Sequence, residues 1–178
     1  MTVSATPLVG IVAGARSDLP VLERASKQLE ELGVPHAVDV RAVDRDPAGV
    51  VAWAAGARDA GYEVLVAGSR AAHLPALLAA ATPLPVIGVP CRSEHLGGAD
   101  ALYAVVQAPR GVPVATVGID DAENAAILAA RILALSHDDV RVALDRFRAE
   151  RSGEETEHRE VLVDGGDTGG GFGFQPQR

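Results

Sequence analysis

Residues 8–18 read LVGIVAGARSD, and the stretch changes character halfway. Leu8 to Ala13 is an unbroken apolar run, whereas Gly14, Ala15, Arg16, Ser17 and Asp18 bring in a glycine, a cation and a carboxylate. A short apolar run closed by a turn signal reads as a strand buried on both faces, which is the condition of a strand inside a parallel sheet. The period then changes. Val21, Leu22, Ala25, Leu29 and Leu32 fall on one stripe of a helix, with Ser17 or Asp18 placed to cap its start and Gly33 to end it. Strand, polar loop and helix together make one βα unit.

The unit recurs along the chain. Strands are expected at Leu8–Ala13, His36–Val40, Glu63–Ala67, Val86–Val89 and Val114–Val117. Helices are expected after Asp46-Pro47 to near Gly61, from about Ala71–Pro75, over Leu96–Val106, over Asp121–Leu135 and over Asp138–Arg151. Such alternation predicts an α/β fold on a parallel sheet. Composition agrees: the chain is 48% hydrophobic but only 3% aromatic, so its core is packed from Ala, Val, Leu and Ile. A length of 178 residues suits one domain, taken as 1–151. Beyond Arg151 the sequence turns acidic and then glycine-rich. Residues 152–178 are therefore expected to form a disordered tail, unable to bury enough apolar surface to offset the entropy of ordering.

Charge and cysteine content restrict function. A formal charge of −8 argues against nucleic acid or an anionic membrane surface as partner, because binding a polyanion depends on Lys and Arg neutralising phosphates. A single cysteine, Cys91, allows no internal disulfide and suits a reducing compartment, so a cytoplasmic location is expected. The first residues carry no basic leader, and no apolar run approaches the ~20 residues that span a bilayer.

The residues with chemical character follow the strands: GARSD at 14–18, RAVDRDP at 41–47, GSRAAH at 68–73 and CRSEHLGG at 91–98. In an open parallel sheet the carboxyl ends of the strands share one edge, and ligands bind in the crevice there. Any one of these loops would be polar merely because it is exposed, but four on one edge point to a shared cleft. Gly14 permits a sharp turn, and the helix start that follows offers N–H groups and a positive dipole end to an anion. Asp18 can accept hydrogen bonds from sugar hydroxyls, and Ser17 can cap or touch a ligand, although capping alone would account for both. The loop matches neither the G-x-G-x-x-G dinucleotide fingerprint nor a G-x-x-x-x-G-K-[ST] phosphate loop. His36, His73 and His95 lack ligand spacing, so no metal site is expected, and Cys91 reads as a small buried residue rather than a nucleophile.

Further motifs extend the pattern. The chain carries GxxSDxP at 14–20, Arg-Asp-Pro at 45–47, AAHLP at 71–75, TPLPVIGVP at 82–90, LxGxD at 96–100, QxPRGVPVATV at 107–117 and NAAxLAAxIL at 124–133. Over roughly residues 8–150 this series resembles the N5-carboxyaminoimidazole ribonucleotide mutase (PurE) family of purine biosynthesis. The resemblance implies a three-layer, flavodoxin-like α/β domain on a five-stranded parallel sheet, assembled as a homo-octamer with active sites where subunits meet. It also implies a cofactor-free shift of a carboxylate from the exocyclic amine of an aminoimidazole ribonucleotide to ring carbon 4, or carboxylation of that carbon by carbon dioxide. By the same resemblance Gly14 to Asp18 and Arg45 bind ribose and phosphate.

Three departures fall on the cleft. Where the family reads Ser-Ala-His-Arg-Thr-Pro, this chain has Ala42-Val43-Asp44-Arg45-Asp46-Pro47, so Asp44 stands in for the family's proton-transferring histidine. The family's Gly-Ser-x-Ser-Asp becomes Gly14-Ala15-Arg16-Ser17-Asp18, losing a serine associated with phosphate. Its Gly-Ala-Gly-Gly-Ala-Ala-His loop is one residue shorter, as Gly68-Ser69-Arg70-Ala71-Ala72-His73. Aspartate titrates near about 3.9 and imidazole near about 6.5, so an ionised Asp44 can accept a proton but holds none to donate. Asp44 and His73 are the candidate catalytic residues. Gly14, Ala15, Arg16, Ser17, Asp18, Ala42, Arg45, Gly68, Ser69 and Arg70 are the candidate substrate contacts. Three readings follow: a family-type enzyme, a paralogue acting on another heterocyclic ribonucleotide, and a non-catalytic ligand-binding relative.

Overall fold

The computed structural model describes residues 6–70, 73–94 and 96–164, with side chains through 152. The apolar run after Leu8 forms β1 (Val9–Ala13), which is buried along its whole length. A single 3-10 turn (Arg16–Asp18) leads into α1 (Leu19–Glu31), whose Leu22, Ala25 and Leu29 are buried. Gly33 follows at φ +67°, the left-handed conformation that glycine adopts at a helix end without a Cβ penalty. The remaining strands are β2 (His36–Val40), β3 (Val64–Ser69), β4 (Val86–Pro90) and β5 (Ala115–Thr116). The helices between and after them are α2 (Pro47–Gly56), α3 (His73–Ala81), α4 (Ala99–Val106), α5 (Ala122–Leu133) and α6 (Asp138–Asp164).

All pairings are parallel, in the order β2-β1-β3-β4-β5. Helices α1 and α5 cover one face of the sheet, and α2, α3 and α4 cover the other. The register explains the split. On the second face Val12, Leu65 and Ala67 pack with Val50 and Ala54 of α2 and with Leu74 and Leu78 of α3. On the first, Gly68 lets Leu22 of α1 lie so close that a Cβ there would sit 2.7 Å from Leu22 Cδ2. The fold is therefore the expected three-layer α/β sandwich.

Several boundaries move, each for a physical reason. β3 runs two residues beyond Ala67 because Gly68 and Ser69 continue the ladder, opposite Val89 and Pro90 of β4. α2 ends at Gly56 rather than near Gly61, and the turn that follows closes on Gly61 at φ +96°. α4 starts at Ala99 because Gly97 and Gly98 hold left-handed conformations that a helix cannot include. α6 continues past Arg151 to Asp164, through a stretch whose sequence holds four glutamates, a good helix-forming residue type. The first part of the expected tail, 152–164, is thus helical, and residues 165–178 lie outside the described residues.

The chain divides into two units, one ending at Leu144 and one beginning at Asp145. The first holds the sheet, α1 to α5 and the start of α6, where Val140 and Leu144 are buried. In the second, the Arg151 guanidinium lies 5.2 Å from the centre of the Phe147 ring. Among the described residues no helix is long and apolar enough to cross a membrane.

Candidate active site

In a 2-1-3-4-5 sheet the chain leaves β1 toward β2 on one side and β3 on the other, which opens a crevice at the carboxyl ends of β1 and β3. A cavity of about 340 Å³ lies there, lined by Gly14, Ala15, Ser17, Asp18, Val43, Asp44, Ser69, Arg70, His73 and Leu74. Three loops that are far apart in sequence supply it. Gly14 joins the first to the third: its N–H donates to the Gly68 carbonyl at 2.9 Å, and a Cβ at this position would lie 2.6 Å from Ser69 Oγ. Only glycine fits so close to Ser69.

Asp18 is the unusual group. It is only 2% exposed, although carboxylates are rarely buried without partners. Capping does not explain it. Asp18 occupies the N-cap of α1 and makes no side-chain cap hydrogen bond there, and no side chain caps the preceding turn. Its partner is Arg70, whose Nε lies 3.3 Å from Asp18 Oδ1 and whose Nη2 donates to the Ser17 carbonyl at 3.2 Å. The ion pair is not aligned as a hydrogen bond, so buried Oδ1 accepts none. Burial pushes the Asp18 carboxyl above its ordinary value, and the Arg70 charge and a backbone hydrogen bond from Ala15 pull the other way.

Asp44 and His73 both line the cavity and are both exposed, Asp44 in the turn after β2 and His73 as the first residue of α3. Ala15, Ser17, Ser69 and Arg70 line it with them. Four candidate residues do not. Arg16 projects as an exposed residue of the turn before α1; Arg45 is exposed in the turn that the Arg45 N–H and the Ala42 carbonyl close at 3.2 Å; Ala42 is half-buried beneath that turn. Gly68 lies inside β3, where it makes room for Leu22.

The charged segment 39–47 divides between structure and site. Asp39 and Arg41 pair at 2.6 Å, and the Arg41 guanidinium sits 4.8 Å from the centre of the Trp53 ring, so both fasten the edge strand to α2. Asp46 caps α2, its Oδ1 accepting the Gly49 N–H at 2.9 Å. That leaves Asp44, with Val43 beside it, for the cavity. Val43 and Leu74 were not among the expected contacts. Leu74 stands within AAHLP, but an apolar residue in a helix start carries no signal that separates site from core.

Cys91 is 1% exposed, with its Sγ 3.7 Å from the Val89 carbonyl. Burial first, and then the charges of Asp18 and Asp120, push its thiol up to about 12, so it supplies no thiolate near neutrality. Among the described residues no group of three His, Cys, Asp or Glu side chains could hold a metal ion, and His95 lies outside them.

A family model described as AIR carboxylase matches residues 8–154. The chain belongs to the AIR carboxylase family. Within that family it is 48% identical, over 145 residues, to the N5-carboxyaminoimidazole ribonucleotide mutase of Pyrococcus horikoshii, covering 81% of this chain and 82% of that one. It is 42% identical to the chloroplastic phosphoribosylaminoimidazole carboxylase of Vigna aconitifolia, covering 84% of this chain but 27% of that longer protein. The crystal structure of Treponema denticola PurE superposes with a TM-score of 0.79 at 24% identity, covering 88% of this chain and 98% of that one. This last likeness concerns the fold alone.

Proposed function

We propose that this AIR carboxylase family member is an enzyme that transfers a carboxylate on an aminoimidazole ribonucleotide. In one form of the reaction the bond between the exocyclic nitrogen and the carboxylate carbon breaks, and a bond from that carbon to ring carbon 4 forms. The proton on carbon 4 leaves, and the nitrogen gains one. In the other form, carbon dioxide is taken up or lost at carbon 4. The chemistry asks for a proton acceptor and a proton donor at one small cavity, with groups that hold a ribose and a phosphate.

The observation that carries the proposal is the meeting of Asp44, His73 and Asp18 on one cavity at the β1/β3 crevice. Asp44 accepts the carbon-4 proton. His73 can both accept and donate, and it returns the proton to nitrogen. Asp18 receives ribose hydroxyls while Gly14, Ala15 and Ser17 present backbone around the ligand, and Ser69 and Arg70 close the opposite wall. The reading needs no cofactor.

Self-association as a homo-octamer belongs to the same proposal. It is supported by α2, which is apolar all round and leaves Val51, Ala52 and Ala55 exposed, and by α4, where Tyr103 is 65% and Val106 52% exposed. A cytoplasmic location is supported by the single buried cysteine.

Incubating the purified protein with the 4-carboxylated ribonucleotide and, separately, with its amine-carboxylated isomer tests the reading by ultraviolet absorbance. Interconversion or decarboxylation of either supports it. Saturable binding without turnover would leave a non-catalytic ligand-binding relative or, as the second reading, a paralogue acting on another heterocyclic ribonucleotide. The pairing of Arg70 with Asp18 gives that alternative its motive, since it sets a cation against the carboxylate assigned to the ribose.

A further inference from the structure

We infer that Asp120 is a positioning residue: it clasps the end of β4 and, through that strand, holds the Ser69 wall of the cavity in place. The inference rests on the proposed carboxylate transfer and deepens it. Among the described residues Asp120 is the one non-glycine at a positive φ, +57°. Side chains rarely adopt that left-handed conformation, and a residue kept there needs surroundings that over-determine it, an arrangement that clusters at sites and switches. The surroundings of Asp120 meet that condition. Its N–H donates to the Pro90 carbonyl at 2.8 Å. Its carboxylate receives two donors from one residue, the Arg92 N–H on Oδ1 at 2.8 Å and the Arg92 Nε on Oδ2 at 3.1 Å. Its carbonyl accepts from Nη2 of Arg24, a residue of α1. Backbone and side chain together grip both residues that flank Cys91.

The sheet needs such a grip at this end. β5 pairs with β4 only at Ile87 and Gly88, so the Asp120 bond to Pro90 takes the place of a ladder beyond them. The loops after β4 and β5 are also packed together: a Cβ on Gly98 would lie 2.6 Å from Ile119 Cγ2 and 3.2 Å from Arg92 Cα. From the clasp a short path leads to the cavity. The Cys91 N–H donates to the Ser69 carbonyl at 3.2 Å, Ser69 stands opposite Pro90 in the ladder, and Ser69 lines the cavity. Cys91 lies in the fields of both Asp18, on the cavity, and Asp120, on the clasp, so its thiol reports on this path.

Two substitutions separate the clasp from its charge. Asp120→Gly relieves the φ and removes both Arg92 contacts, whereas Asp120→Asn removes the charge but keeps an oxygen for the Arg92 N–H and a residue type that tolerates the φ. The substrate is whichever carboxylated aminoimidazole ribonucleotide the wild type turns over. Asp120→Gly is expected to raise its KM by about 3- to 10-fold with kcat nearly unchanged, and to speed iodoacetamide labelling of Cys91 at least about 10-fold. Asp120→Asn is expected to stay within about threefold of wild type in both readings. A merely destabilised enzyme would instead lose active molecules, which lowers kcat and leaves KM alone. Arg92→Met removes only the Nε bond, from a side chain that is 67% exposed, and is expected to move both readings the same way by a smaller factor; it decides the matter if Asp120→Gly does not fold. An unchanged KM in folded Asp120→Gly, or equal changes in Asp120→Asn, would overturn this inference and leave the proposed function standing. Wild-type protein that turns over neither isomer would overturn the proposed function, and Cys91 labelling then decides the clasp alone: equal rates in wild type and Asp120→Gly would overturn it.

Discussion

Replacing Gly14 by alanine puts a methyl group where the ends of β1 and β3 come together. The added Cβ would lie 2.6 Å from Ser69 Oγ and 3.0 Å from Ser69 Cβ, against 3.4–4 Å for ordinary contact. Ser69 is 5% exposed, and the Gly14 N–H is bonded to the Gly68 carbonyl at 2.9 Å, so neither strand can retreat without loosening the ladder. Over-packing of this kind costs about 1–3 kcal/mol. In a chain of this size that lowers the melting temperature by about 2–4 °C per kcal/mol. The decisive variant is the pair Gly14→Ala with Ser69→Gly, which removes both close contacts. Urea denaturation of the two single variants, the double variant and the wild type, at one protein concentration, gives the coupling energy. We expect the double variant to be more stable than the sum of the single changes by about 1 kcal/mol or more. Effects that add within about 0.5 kcal/mol would refute the close apposition of these two loops.

Three other outcomes follow from the same geometry. Asp44→His restores an imidazole to the cavity and is expected to raise carboxylate-transfer activity, by as much as roughly 10²-fold in the absorbance assay; a fall would show that the carboxylate has a duty of its own. Asp18 has a folded-state pKa above its ordinary 3.8, so the native chain holds this proton more tightly than the unfolded one. Stability therefore falls as pH rises from that value through the raised one, and Asp18→Asn is expected to abolish this part of the slope in urea midpoints; an identical slope in the variant would refute the assignment. Cys91, with its thiol pushed up to about 12, is expected to resist alkylation at neutral pH until the chain unfolds, and rapid labelling of native protein would contradict its burial.

The sheet was legible because buried parallel strands leave unbroken apolar runs: β1, β3 and β4 are buried from end to end and stand within one or two residues of their expected starts. The strand ends were less legible. Gly68 and Ser69 look like loop residues, yet Gly68 pairs with both β1 and β4 and Ser69 with β4, which holds them in β3. The rule that polar residues follow strands points to Asp18, Asp44, Ser69, Arg70 and His73, and these line one cavity. It could not rank them. Ser17 and Asp18 have the sequence of a cap, and only the missing cap hydrogen bond, together with the 2% exposure of Asp18, sets Asp18 apart from an ordinary helix start. Nor could residue type sort the arginines at 41, 45 and 70. Arg41 lies over Trp53, Arg45 faces solvent and Arg70 crosses to Asp18, a division fixed by the directions of β2 and β3 rather than by local sequence.

The most direct test of carboxylate transfer at this crevice is carbon-13 NMR of the protein turning over ribonucleotide labelled in its amine-bound carboxylate, run in unlabelled bicarbonate. Label appearing on ring carbon 4 is expected for direct transfer, and unlabelled carboxylate at carbon 4 for uptake of carbon dioxide. No new carboxylate at carbon 4 by either route, with the wild-type chain folded and ligand bound, would contradict the proposed chemistry.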